Sequence, residues 1–249
     1  MNAARFLYQQ ALGAHAQVTV THTLPTGNEL APYAGNLALH VNDQAIAVQA
    51  RRAALEAELG LPVQWLNQVH GTYVAYFPQH DPLPPTADAS VTQSKQLALG
   101  ILTADCLPVV FATQDGSVVA GAHAGWRGLL NGVLSQTWAA LRVRSPSSPI
   151  IAHLGPCIGQ AQFEVGSEVQ AAFVAQNAAW AGYFAARQDG KYLADLCGLA
   201  RHQLLALGAP AVTGGGWCTV SDARLASYRR SARLNQASGR FATLVRLLP

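Results

Sequence analysis

Three residues in this sequence have types and settings that could do chemistry together. His70 closes the segment Val63–Val69 and is followed by Gly71. Cys106 follows Ala104-Asp105 between two apolar segments. His123 ends a third apolar segment, just before Gly125. Strand ends are where α/β and α+β proteins tend to carry their sites. The separations, 36 residues and then 17, prove no metal site by themselves. If the three converge, two imidazoles and a thiolate suit Zn²⁺ with a fourth position open, as in catalytic zinc sites. Such an ion brings water towards a pKa of ~7 and makes it a nucleophile. Copper in a trigonal site is the lesser alternative: it usually takes a weak axial Met, and the only Met is Met1. None of the eight His forms an H-x-H pair of the multicopper kind. Without metal, Cys106 with His70 or His123 would be a nucleophile–base pair. Asp105, beside Cys106, could orient a ligand His or move a proton, or simply form a turn; Asp88 in Ala87-Asp88-Ala89 has the same two readings.

The elements that must position these residues follow from pattern. Strands are expected over 17–24, 63–69, 97–103, 107–113, 117–123, 150–154, 211–220 and 241–247. Thr26–Pro32 is expected as a loop, and Pro108 places the start of its strand at an edge or bulge. Asn42 or Asp43 caps a helix to Leu59 that turns Ile46, Ala50, Ala53, Ala54 and Ala57 to one side; Gly60 and Pro62 stop it. Gly125–Gly128 opens a helix reaching Arg142, and further helices are expected over 166–178 and 192–207. The sum is a single α+β domain over residues 1–249, with layered mixed sheets and helices. Its 249 residues suffice for a core without a disulfide or metal staple.

Composition excludes several classes. Charged residues are only 12% and hydrophobic ones 50%, which rules out a disordered chain. No apolar run approaches the ~20 residues of a membrane helix, and the first residues lack a signal-peptide pattern, so a cytoplasmic protein with no membrane partner is expected. The net charge of +3 is slight, and the one basic cluster is Arg229, Arg230 and Arg233; no basic stripe points to nucleic acid. Fourteen of the sixteen basic residues are Arg, whose forks suit phosphate and carboxylate. Cys106, Cys157, Cys197 and Cys218 lie far apart with no C-x-x-C, and are expected reduced. Cys157, in a tight Gly-Pro turn, reads as structural.

Several segments together resemble one family: WLNQVHGTYV (65–74), ADASVT (87–92), TADCLPVV (103–110), AHAGWRGL (122–129), LGPCIG (154–159), FEVG (163–166), KYLADL (191–196), and Cys218-Thr219 with Ser227-Tyr228-Arg229-Arg230 and Ser238-Gly239-Arg240. This is similar to the YfiH-type family, known as laccase-like polyphenol oxidoreductases, peptidoglycan editing factors or FAMIN-related purine nucleoside phosphorylases. The match spans nearly the whole chain. It departs at Leu225-Ala226 (usually Phe-Phe), at Ser238 (usually Thr), at Ala50-Arg51 (usually Asn-Arg) and at Gly35–Ala38, and these departures bear on the pocket wall. The resemblance implies a three-layer α+β fold shared with a cysteine-hydrolase-like toxin domain, and metal ligands at His70, Cys106 and His123. It implies zinc-dependent phosphorolysis of adenosine, inosine, guanosine or methylthioadenosine to base and ribose-1-phosphate, with adenosine deamination beside it. Within that expectation Asp105 would shuttle protons, and Arg51, Arg229 or Arg230 would hold phosphate by bidentate contacts. The alternatives are a thiol or zinc hydrolase editing an amide of a peptidoglycan precursor, and a copper polyphenol oxidase. The sequence does not give the oligomeric state.

Overall fold

A computed structural model describes residues 6–21, 33 and 35–249 of the chain. The expected loop Thr26–Pro32 and the end of the strand predicted over 17–24 lie outside them. Two sheets carry the architecture. The first is five-stranded: β1 (Phe6–Leu12), β2 (Ala16–Thr21), β14 (Phe241–Leu247), β6 (Ala98–Thr103) and β3 (Val63–Gln64), in that order. The second is six-stranded: β13 (Val212–Gly214), β9 (Ile150–Leu154), β7 (Leu107–Thr113), β8 (Val119–Ala124), β5 (Ala89–Thr92) and β4 (Val74–Tyr76). Both mix parallel and antiparallel pairs. A small sheet of β10 (Glu164–Val165), β12 (Tyr192–Ala194) and β11 (Phe184–Ala186) stands apart.

Strand alternation explains the layering. Leu99 and Ile101 of β6 point to the inner face and pack with Val110, Ala112 and Val119 of the second sheet. Their neighbours Ala98 and Leu102 turn outward, onto Leu55 and Leu59 of α1 (Ala45–Leu59). Val109 and Phe111 of β7 face the far side, onto Leu134, Trp138 and Leu141 of α3 (Val133–Arg144) and Leu199 of α5 (Leu196–Ala206). The order helix, sheet, sheet, helices gives four layers where the family resemblance implied three. The α+β class stands.

Several local expectations change. The helix over 42–59 starts at Ala45 and buries Val48, Leu55 and Leu59, while Ile46 is 82% exposed; its alanines gave too weak a stripe to point one way. Gly60 ends it in the left-handed conformation at φ 68°. The helix from Gly125 breaks in two, α2 (Trp126–Leu130) and α3, because Gly132 takes φ 91°. The strand over 63–69 is only Val63–Gln64, and that over 211–220 only Val212–Gly214. The helix over 192–207 is β12 followed by α5. Pro108 lies in a central strand rather than at an edge; its missing N–H costs nothing because the ladder to β9 begins at Val109.

Candidate metal centre

Antiparallel pairing of β7 and β8 sets Pro108 opposite His123, so the Asp105-Cys106 turn stands over the end of β8. The loop after β3 brings His70 to the same place. The ligand atoms of His70, Cys106 and His123 all lie within 4.8 Å of one another. Cys106 Sγ is 3.7 Å from His70 Nε2, and the two imidazole rings meet edge to face with centroids 4.7 Å apart. Gly125 borders the trio where a Cβ would come within 2.9 Å of His70 Cδ2 and 3.0 Å of Cys106 Sγ.

One buried carboxylate organises this corner. Asp88 Oδ1 accepts from His123 Nδ1 at 2.8 Å and from the His70 backbone N–H at 2.8 Å. Its Oδ2 accepts from the N–H of Val69 at 3.1 Å and of Gly71 at 2.7 Å. With Nδ1 so engaged, His123 turns Nε2 to Cys106. Burial alone would raise the Asp88 pKa, but the His123 and backbone hydrogen bonds outweigh it and hold the carboxyl below its usual range. The same competition runs through the pair it supports. Burial opposes charge on both, yet hydrogen bonds from His123 and His70 bring Cys106 down to about 6, while those to Asp88 and Cys106 raise His123 to about 9. Two imidazoles and a thiolate, one imidazole oriented by a carboxylate, form a donor set that fits a divalent ion with one position left open. The trio could hold a metal ion.

The trio opens into a cavity of about 380 Å³, within the roughly 300–1,000 Å³ usual for small-molecule sites. Phe163, Trp126 and Tyr228 give it aromatic walls, and Arg127, Arg229 and Arg240 bring cations to it. Gln68 closes another side, its amide pairing with both N and O of Leu102 at 2.9 and 2.8 Å, as a strand neighbour would.

The other residues proposed from sequence are placed differently. Asp105 lines the cavity, but Oδ1 accepts from Thr219 Oγ1 at 2.5 Å and Oδ2 from the Arg229 N–H at 2.6 Å. Both its oxygens serve to fix the Cys106 turn against α6 (Tyr228–Arg233). Asp88, which from sequence carries the same readings as Asp105, does the orienting. Arg229 lines the cavity while its fork donates to the carbonyls of Gln162 and Glu164. Arg230 lies outside the cavity lining and donates to the carbonyls of Thr219, Val220, Asp222 and Leu225, pinning that loop. Arg51 also lies outside it, engaged by Asp43 and the carbonyl of Asn36. Sequence reasoning passed over Arg127 and Arg240, although both fall inside the quoted segments AHAGWRGL and Ser238-Gly239-Arg240.

A family model described as "Multi-copper polyphenol oxidoreductase laccase" matches residues 18–248. The chain belongs to this YfiH-type, laccase-like family. It is similar to a protein of Pseudomonas aeruginosa named a purine nucleoside phosphorylase, 46% identical over 213 residues and 84% of each chain. The Escherichia coli K12 purine nucleoside phosphorylase YfiH is 40% identical over 226 residues, covering 89% of this chain and 90% of its own. A crystal structure of a Neisseria meningitidis protein superposes with a TM-score of 0.89 at 39% identity, over 99% of this chain and 100% of that one. That of a hypothetical YfiH protein of Bacillus licheniformis, 23% identical, shares the fold with a TM-score of 0.83 over 94% and 93%. No helix among the described residues is long and apolar enough to cross a membrane.

Proposed function

We propose that this family member is a zinc-dependent, cytoplasmic purine nucleoside phosphorylase that takes a nucleoside and phosphate to base and ribose-1-phosphate, and that also deaminates adenosine. The observation that carries the reading is the His70–Cys106–His123 trio in the wall of an aromatic, arginine-lined cavity; relatives at 40–46% identity named as purine nucleoside phosphorylases support it. Held by the three, zinc would supply Lewis acidity and a nucleophile drawn from water near neutral pH. The chain's own residues do the rest. Phe163 and Tyr228 offer faces on which a purine stacks. Arg127, exposed and held 4.4 Å over the Trp126 ring, presents a planar fork to an anion. Arg240, whose Nη1 is anchored on the carbonyls of Ser238 and Gly239, holds a second cation towards the cavity. These two replace Arg51 and Arg230 as the phosphate ligands in this reading. Asp88 keeps the His123 proton on Nδ1, and Asp105 positions rather than carries a proton.

A second reading rests on the Cys106–His123 pair. A thiol lowered to about 6 beside an imidazole raised to about 9 is the charge distribution of a cysteine nucleophile and its base, and such a dyad would cleave an amide, as in a peptidoglycan precursor. A copper polyphenol oxidase is less favoured, since His70–Cys106–His123 is the one three-residue donor group among the described residues.

The test is incubation with adenosine, with and without phosphate, and chromatographic separation of products, with Cys106→Ala as control. Adenine and ribose-1-phosphate formed only with phosphate, and lost in the variant, establish phosphorolysis. Inosine formed without phosphate establishes deamination. No product from adenosine, inosine or methylthioadenosine, in a zinc-loaded sample, refutes the nucleoside reading.

A further inference from the structure

Outside the candidate metal site the fold gathers the other three cysteines. Cys157 sits in the turn after β9 and Cys218 beside it, the two joined by a single parallel bridge. Cys197 is the second residue of α5. Its Sγ lies 3.4 Å from that of Cys157. The sulfur of Cys218 is committed elsewhere, accepting from the Gly159 N–H at 3.3 Å and from Ser221 Oγ at 3.6 Å. All four cysteines are reduced in this structure.

We propose that Cys157 and Cys197 are an oxidisable dithiol, a modification site that hydrogen peroxide converts to a reversible disulfide. The separation is van der Waals contact, and a disulfide of about 2.05 Å asks the sulfurs to close by about 1.4 Å. The roles follow from access. Cys157 is buried to 1% exposure, whereas Cys197 is partly exposed. The Cys197 sulfur is therefore the one a peroxide reaches. As thiolate it attacks the peroxide, the O–O bond breaks, and the sulfur is oxidised to a sulfenic acid as one water leaves. The Cys157 thiol then attacks that sulfur. Its proton goes to the departing hydroxide as a second water, and two thiols and one peroxide have become one disulfide and two waters. The hydrogen bond to Cys197, followed by burial, raises the Cys157 thiol well above its ordinary range, so Cys157 is not the thiolate that first meets the peroxide, and in the second step its proton must pass to the departing hydroxide as the S–S bond forms.

The pair also has leverage. The neighbours Ile158 and Leu196 line the cavity, and the Ile158 N–H donates to the carbonyl of Asp105 at 2.9 Å. Joining the sulfurs ties the β9 turn to the start of α5, two walls of the same cavity.

The experiment treats the reduced, zinc-loaded protein with hydrogen peroxide, blocks remaining thiols with N-ethylmaleimide, and maps peptides without reduction. The expected product is a peptide pair linked through Cys157 and Cys197 that dithiothreitol separates. It should persist in Cys218→Ser and vanish in Cys197→Ser, whose Cys157 should be recovered as thiol. A Cys157–Cys218 link would overturn the proposal. So would Cys197 driven to sulfinic acid without linkage, or all three thiols unchanged under peroxide that oxidises Cys106.

Discussion

Replacing Asp88 by asparagine keeps the shape of the side chain and removes its charge. In the native protein the two carboxylate oxygens accept four hydrogen bonds, from His123 Nδ1 and the N–H groups of Val69, His70 and Gly71. Asparagine has one acceptor oxygen. If it faces His123 and His70, its NH₂ confronts the N–H groups of Val69 and Gly71, donor against donor. Two hydrogen bonds to a charged acceptor are lost at roughly 1.5 kcal/mol each, or about 3 kcal/mol, in a side chain with no access to compensating water. For a chain of this length that lowers Tm by roughly 6–12 °C. The loop carrying His70 loosens and His123 Nδ1–H meets a neutral rather than a charged acceptor, so zinc affinity should fall about 10–100-fold. Thermal unfolding with chelator present isolates the first effect. Competition for zinc with a chromophoric chelator, at a temperature where Asp88→Asn is folded, measures the second. An unchanged Tm together with unchanged zinc affinity would refute the claim that this carboxylate builds the site.

Gly125→Ala should weaken zinc binding with little loss of Tm, because the new methyl must displace the His70 ring or the Cys106 sulfur; equilibrium dialysis of metal checks it. In the metal-free protein, Cys106 should alkylate with a midpoint near pH 6 rather than 9, read from its peptide by mass spectrometry against pH. The sign for stability follows: the thiolate contribution is present at high pH and fades as pH falls through about 6. That of the His123 cation is present at low pH and fades as pH rises through about 9. Denaturant titrations of wild type and Cys106→Ser should therefore differ most between those limits. Arg230→Ala should lower Tm without a specific loss of phosphate affinity, whereas Arg240→Ala should raise the KM for phosphate; the reverse pattern would restore Arg230 as the anion ligand.

The trio could be read from sequence because each member follows an apolar strand-like run and is succeeded within two residues by a glycine or a new strand. The hairpin β7–β8 is likewise signalled by Asp115-Gly116. What could not be read was partnership at a distance. Asp88 is 35 residues from His123, and nothing local distinguishes it from Asp105 as the acid that orients a histidine. Arg229 and Arg230 look equivalent as neighbours on α6, yet one faces the cavity and the other folds back on four carbonyls. Alanines in α1 leave its buried side undetermined from sequence: the side carrying Ile46 faces solvent, and Val48, Leu55 and Leu59 are the buried ones. Cys157 and Cys197, 40 residues apart, meet only because β12 and the start of α5 return to the end of β9.

The two acids share a further task that explains why both are needed. His70 has φ 62° and Asp105 φ 91°, left-handed conformations that non-glycine residues adopt at a cost of order 1–3 kcal/mol each. These turns are what aim His70 and Cys106 at His123 from separate loops. Each is held by a carboxylate: Asp88 takes the His70 N–H, and Asp105 ties its own turn to Thr219 and to the first turn of α6. Relaxing either turn would favour the fold and disperse the donors. The strain is thus concentrated at the two loops that carry ligands. The third donor, His123, rides on a regular β-strand that costs nothing to form and supplies the fixed point against which the other two are set.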